Sequence, residues 1–179
     1  YPLLKGKKIC LFAPTFRGAN VHDANYPKSF FDAQKFASAL GDDWAVIIKM
    51  HPFVKEKINI PQSVADKVFD LSCEREINDI LFITDVLVTD YSSVIFENAV
   101  IGNACVLYAP DLKQYNDGRG FYFDYYDYSC GSVVQSFAEL PAAVLSAKPG
   151  KAEREFKQRF VSLCDGNSTA RFVKTILKG

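Results

Sequence analysis

The segment VLVTDYSSVIFENAVI, Val86 to Ile101, passes from an apolar, β-branched run through a polar turn into an apolar-rich helical pattern. A strand that is apolar throughout is buried on both faces. When it runs directly into a helix, the pair is the building unit of a parallel sheet covered by helices. The turn between them carries Asp90, Tyr91, Ser92 and Ser93. Such residues either cap the helix or present hydroxyls and free amides to an anion.

The same pattern repeats on both sides of this segment. Lys8–Ala13 (KICLFA, stopped by Pro14), Trp44–Met50 (WAVIIKM), Lys67–Leu71 (KVFDL) and Ala104–Tyr108 (ACVLY) read as further buried strands, and Ser132–Val134 as a candidate sixth. Helices are expected over Phe30–Leu40 (closed by Gly41), Glu76–Thr84, Ser92–Ile101, Ser136–Ser146, Ala152–Cys164 and Ser168–Leu177. Alternating strands and helices define an α/β fold, a Rossmann-like parallel sheet flanked by helices. Its ligands are expected beyond the C-terminal strand ends.

A chain of 179 residues, 49% hydrophobic and 23% charged, is expected to form a single domain over 1–179. Its formal net charge is zero, which argues against nucleic acid as a partner and makes any anion site a local one. The five cysteines, Cys10, Cys73, Cys105, Cys130 and Cys164, are odd in number and widely spaced, and none forms a C-x-x-C. Reduced thiols are expected, with no metal site; Cys10, Cys105 and Cys164 stand in apolar or helical surroundings. The opening residues lack a signal-peptide pattern, and no apolar run approaches the roughly 20 residues of a membrane span. The abrupt start at Tyr1, just before a strand, suggests a piece of a longer protein. A receiver-type signalling domain is disfavoured, because Pro14-Thr15 follows the first strand where such domains carry an acidic pair.

Special residues gather at the strand ends, which a parallel sheet brings to one rim. Ser92 and Ser93 add hydroxyl donors to a helix N-terminus, and Asp90 either holds the turn or joins the ligand site. Glu97, one helical turn beyond Ser93, either meets ribose hydroxyls or is a solvated helix residue. His51, fixed by Pro52 after the second strand, is a donor to a phosphate or a packed strand end. Arg17 and Arg119, each beside a glycine, either clamp phosphate or pair with an acid such as Asp111 or Asp124. The rings around Tyr122 either wall a nucleotide pocket or cover the sheet edge. His22 lies in a polar loop and is expected to be solvated.

APTFRG (Ala13–Gly18), KMHPFV (Lys49–Val54), VTDYSSVIFENAVIGNACVLYAPDLKQY (Val88–Tyr115) and RGFYFDY (Arg119–Tyr125) together resemble the C-terminal half of the CDP-glycerol glycerophosphotransferases. These are teichoic-acid primases and polymerases of Gram-positive walls, with relatives in capsule synthesis. The HP and paired-serine motifs are also similar to those of bacterial sialyltransferases that use CMP-sialic acid. The resemblance implies the C-terminal, donor-binding half of a GT-B type transferase whose N-terminal acceptor domain, with its base, is absent from this chain. It implies CDP-glycerol as donor, a lipid-linked polymer as acceptor, CMP as leaving group and no evident cofactor. His51 and Arg119 would be catalytic. Arg17, Pro52, Asp90, Ser92, Ser93, Glu97 and Tyr122 would bind the donor. The implied location is peripheral, on the cytoplasmic face of the cell membrane. CDP-ribitol, a CMP-activated sugar, or a cytidine-nucleotide module inactive alone are the alternatives.

Overall fold

Apolar runs too short for helices and bounded by turn residues become strands β1 (Lys8–Phe12), β2 (Trp44–Ile48), β3 (Val68–Asp70), β4 (Val86–Thr89), β5 (Ala104–Tyr108) and β6 (Ser132–Val134). The computed structural model describes residues 1–177, so the last two residues of the domain expected over 1–179 lie outside it. The six strands form one sheet in the order β3-β2-β1-β4-β5-β6, every neighbouring pair parallel. This is the Rossmann-like sheet expected. Its growth reverses between β1 and β4, and that switch point opens a crevice at the carboxyl edge.

Both faces are covered. Cys10 and Phe12 of β1 pack with α1 (Ala33–Leu40) and, through Leu140 and Val144, with a later helix. Ile9 and Leu11 face the opposite layer, where Ile80, Leu81, Val94, Ile95 and Phe156 pack. Alternate side chains of one strand thus feed two cores, which is why its sequence shows no polar alternation.

Helix boundaries move where local chemistry intervenes. α1 starts at Ala33 because the Asp32 carboxylate accepts the Lys35 amide at 2.9 Å, leaving Phe30 and Phe31 before the helix. α2 is only Ile77–Leu81. α3 spans Val94–Ile101 and stops at Gly102, whose φ of 96° suits the left-handed cap. α4 (Leu112–Arg119) was not expected; it buries no residue, so it has no apolar period to read. α5 covers Leu140–Ser146, α6 Lys151–Phe160 and α7 Ser168–Phe172, the last continuing as a π-helical turn to Leu177. Cys130, not Cys164, joins Cys10 and Cys105 in the interior. Among the described residues no helix is long and apolar enough to cross a membrane.

β6 is admitted to the sheet by Gly131. A Cβ there would lie 1.9 Å from the Cys105 carbonyl oxygen. Gly131→Ala should therefore destabilise the fold by about 2 kcal/mol or more, read as a lowered midpoint in urea unfolding.

Candidate active site

The carboxyl edge is stitched at the switch point. Phe12 is level with Ile48 and with Val88, so the loops after β1, β2 and β4 leave the sheet at one height. Adjacent strands lie about 4.8 Å apart. The Ala13 amide donates to Val88 O at 2.9 Å, the Thr89 hydroxyl to Ala13 O at 2.7 Å, and the Lys49 amide to Phe12 O at 2.9 Å.

Arg17 and the acids beneath the rim form a closed network. Arg17 Nε and Nη2 donate to Asp111 Oδ2 and Oδ1 at 2.7 and 2.9 Å. Asp90 Oδ2 lies 2.9 Å from Nη2 but off its N–H direction, a charge contact without a hydrogen bond. Asp90 Oδ1 accepts the Thr15 and Tyr91 amides at 2.7 and 2.6 Å. The Tyr91 hydroxyl donates to Asp111 Oδ1 at 2.9 Å, and the Tyr125 hydroxyl to Asp90 O at 2.8 Å. Burial pushes the Asp90 carboxyl above its ordinary value, against the pull of Arg17 and the Thr15 amide. Burial acts the same way on Asp111, but the hydrogen bonds and charge of Arg17 outweigh it and hold that carboxyl low.

Two expectations change as a result. Arg17 has its fork filled by Asp111, and the Asp90 side chain is 1% exposed. Both hold the turn, and Asp90 also borders the cavity at the start of α3. Asp111, not Asp124, is the acid that takes Arg17.

The other residues line the rim. Ser93 stands at the N-cap of α3 without a side-chain capping bond, and Ser92 Oγ accepts the Val94 amide at 3.3 Å. The amides of Ser92 and Ser93 donate to no acceptor among the described residues. Glu97 is exposed on the first turn of α3, and Pro52 is exposed after His51. A cavity of about 190 Å³ opens at the start of α3, walled by Ser92, Ser93, Phe96, Phe121 and Tyr125. Tyr122 is fully exposed, so the aromatic wall is made by its neighbours Phe121 and Tyr125.

His51 and Arg119 meet through Phe16. The Phe16 ring lies 4.8 Å from His51, and the Arg119 guanidinium 5.3 Å above Phe16. Arg119 is the last residue of α4, not a loop residue; it donates to Gly18 O and has no carboxylate partner among the described residues. His51 Nδ1 accepts the Phe53 amide at 3.2 Å, so the neutral ring carries its proton on Nε2. Burial, with the nearby Lys49 charge, lowers the His51 pKa from its ordinary value, which keeps the ring neutral at pH 7. Lys49 itself was passed over as part of a strand. It is 7% exposed, and its ammonium donates to Ser72 O at 3.3 Å. The signal available was a lysine near the end of the apolar run WAVIIKM. His22 is exposed in its loop.

A family model described as CDP-Glycerol:Poly(glycerophosphate) glycerophosphotransferase matches residues 1–178. A teichoic acid poly(ribitol-phosphate) polymerase of Bacillus spizizenii is 37% identical over 99% of this chain and 29% of its own length. The teichoic acid ribitol-phosphate polymerase TarL of Staphylococcus aureus is 41% identical over 98% of this chain and 32% of its own. A teichoic acid glycerol-phosphate transferase of Staphylococcus aureus is 35% identical over 96% of this chain and 46% of its own. This chain therefore spans less than half the length of these relatives. In fold it is similar to the wall teichoic acid polymerase TagF, with a TM-score of 0.78 at 24% identity, covering 97% of this chain and 44% of that one.

Breaking the buried network should be costly. Arg17→Met leaves two carboxylates uncompensated and should destabilise by about 3 kcal/mol. Asp111→Asn should cost about 2 kcal/mol, discounted for partial exposure. The folded pKa of Asp111 is depressed, so its contribution is full above the ordinary carboxylate range and fades as pH falls through the folded value. Denaturation of wild type and Asp111→Asn should differ at pH 7 and converge only as pH falls below the ordinary carboxylate range.

Proposed function

The chain belongs to the CDP-glycerol:poly(glycerophosphate) glycerophosphotransferase family, and on that premise we propose that it is the donor-binding part of a polyol-phosphate transferase. The acceptor is a hydroxyl at the end of a lipid-linked teichoic-acid or capsule-type polymer, on the cytoplasmic face of the membrane. That hydroxyl attacks the β-phosphorus of a CDP-activated polyol. A new oxygen–phosphorus bond forms, the bond to CMP breaks, and the hydroxyl proton passes to a base outside this chain. The observation that carries this reading is a set of donors left on one edge among the described residues: the Ser92 and Ser93 amides and hydroxyls, His51 Nε2 and the N–H groups of Arg119 not given to Gly18 O.

Each donor has a role. Ser92, Ser93 and the α3 N-terminus hold the diphosphate. A helix dipole alone supplies about 0.3–1 kcal/mol, too little to fix a donor. Charge-assisted hydrogen bonds of about 1.5–3 kcal/mol each make up the difference. Arg119 neutralises developing charge, and His51 donates to the phosphate oxygen that leaves with CMP. Glu97 accepts from ribose. Pro52 and the loop after it bracket cytosine on one side, and the fully exposed Tyr122 is available to cover the other. Arg17 and Asp90 act through the turn they hold.

Glycerol is the polyol named by the family model. Ribitol is the second reading, favoured by the relatives at 37% and 41% identity, which are named for ribitol phosphate. Offering CDP-glycerol and CDP-ribitol to the full-length protein, with CMP release as readout, separates the two.

In the full-length protein His51→Ala and Arg119→Ala should each lower the rate of CMP release at saturating donor by about a hundredfold. Near-normal rates would remove both roles. Calorimetry should show binding of CDP in preference to UDP and GDP; equal binding of all three would remove the cytidine reading.

A further inference from the structure

Lys49, just past the end of β2, is a buried charged residue without an acidic partner among the described residues. Its side chain is 7% exposed, and its ammonium makes one long hydrogen bond, 3.3 Å to the carbonyl of Ser72. A buried ammonium ordinarily has a carboxylate beside it. The nearest acid in sequence across the β2–β3 pair, Asp70, is taken up elsewhere. Its Oδ1 accepts the Ser72 amide at 2.9 Å, and its Oδ2 lies 3.6 Å from Lys57 Nζ. The Ser72 hydroxyl is committed to the Met50 amide at 3.0 Å. Two of the three donor directions of Lys49 are left without an acceptor among the described residues.

Its position says what should fill them. Along β2, Ile47 packs in the core layer of α2 and α3, and Ile48 in the opposite one. Met50 packs with Ile48 in that opposite layer, so the alternation runs past the strand end and puts Lys49 on the side of Ile47, where α3 also packs. Lys49 thus leaves the β2 end two residues before His51, so an anion resting on the imidazole would sit at the strand end from which the Lys49 side chain departs.

We propose that Lys49 is a donor-binding residue whose ammonium takes an oxygen of the nucleotide's phosphate beside His51. This rests on the reading of the rim as a nucleotide-diphosphate site and adds the cation that site lacks on the β2 side. With donor bound, the phosphate becomes the counter-ion that no side chain supplies. The same charge disfavours protonation of His51, so the ring meets the phosphate as a neutral Nε2–H donor.

The test uses the full-length protein and two variants, Lys49→Met and Lys49→Gln. Removing an unpaired buried charge is not expected to prevent folding, and thermal melting of both variants checks it. Calorimetry with CDP, CMP, inorganic pyrophosphate and cytidine is the first readout. Both variants should bind CDP, CMP and pyrophosphate about tenfold or more weakly, one charge-assisted bond being lost, and cytidine equally well. Unchanged CDP and pyrophosphate affinity in a folded variant overturns the proposal, as does an equal loss for cytidine. If wild type binds pyrophosphate but no cytidine nucleotide, the cytidine reading fails while Lys49 is still judged on pyrophosphate. If it binds none of them, both fail. The second readout is the His51 titration followed by NMR without ligand. Loss of Lys49 should move its midpoint upward, as removal of a neighbouring positive charge does; an unmoved midpoint counts against the two groups standing close enough to share one anion.

Discussion

The guanidinium of Arg17 ties together three loops that sequence separates widely. It reaches Asp111, 94 positions away, and Asp90, and so joins the exits of β1, β4 and β5. Taking these charges out of water is expensive, and attraction repays it only where geometry is good. Here the fork is bidentate on Asp111, and the guanidinium lies 4.9 Å from the Tyr91 ring, a cation–π contact. Asp90 turns the network into backbone geometry, because its Oδ1 holds the amides of Thr15 and Tyr91. The turn that presents Ser92 and Ser93 is thereby fixed before any ligand arrives.

This arrangement has an electrostatic consequence. One cation faces two carboxylates, so the support beneath the rim is not a reservoir of positive charge. Burial, which favours the neutral form of Asp90, eases the imbalance only in part. An anion held above such a support must find its charge in residues the network does not consume. Arg119 and Lys49 are two cations on this edge without carboxylate partners among the described residues. The zero net charge of the chain thus conceals a local division between an arginine paired with carboxylates and cations without carboxylate partners among the described residues.

The inner strands β1, β2, β4 and β5 were legible because burial on both faces leaves one signature, an unbroken apolar run, whereas the three-residue edge strands β3 and β6 are only partly buried and carry it weakly. Helix ends were less so, since a single hydrogen bond decides them, as Asp32 does for α1. α4 was illegible for a physical reason: it packs no buried side chain, so its sequence obeys no period. At the site, the rim residues could be read from their place after strands. The part Arg17 plays could not, because the same arginine beside a glycine suits a phosphate or a carboxylate, and only tertiary proximity to Asp111 decides. Lys49 was overlooked for the opposite reason. A charge in an apolar strand was absorbed into the strand, when its cost in burial was the informative feature.

The tautomer of His51 limits what this edge can do in the proposed transfer. With Nδ1 engaged by the Phe53 amide and Nε2 bearing the proton, the neutral ring is a donor and has no free lone pair for an incoming hydroxyl. Asp90 and Asp111 are bound to Arg17, and Glu97 stands exposed on the first turn of α3, where the proposed function gives it the ribose. The edge is therefore rich in groups that hold and stabilise negative charge and poor in groups that remove a proton. Phosphoryl transfer divides in this way readily, because positioning and charge stabilisation can be supplied on one side of a cleft and the nucleophile, with its base, delivered from the other. A donor-holding surface of this kind completes a reaction only against a second surface. That requirement accords with a chain spanning 29–46% of the length of the three curated relatives described above.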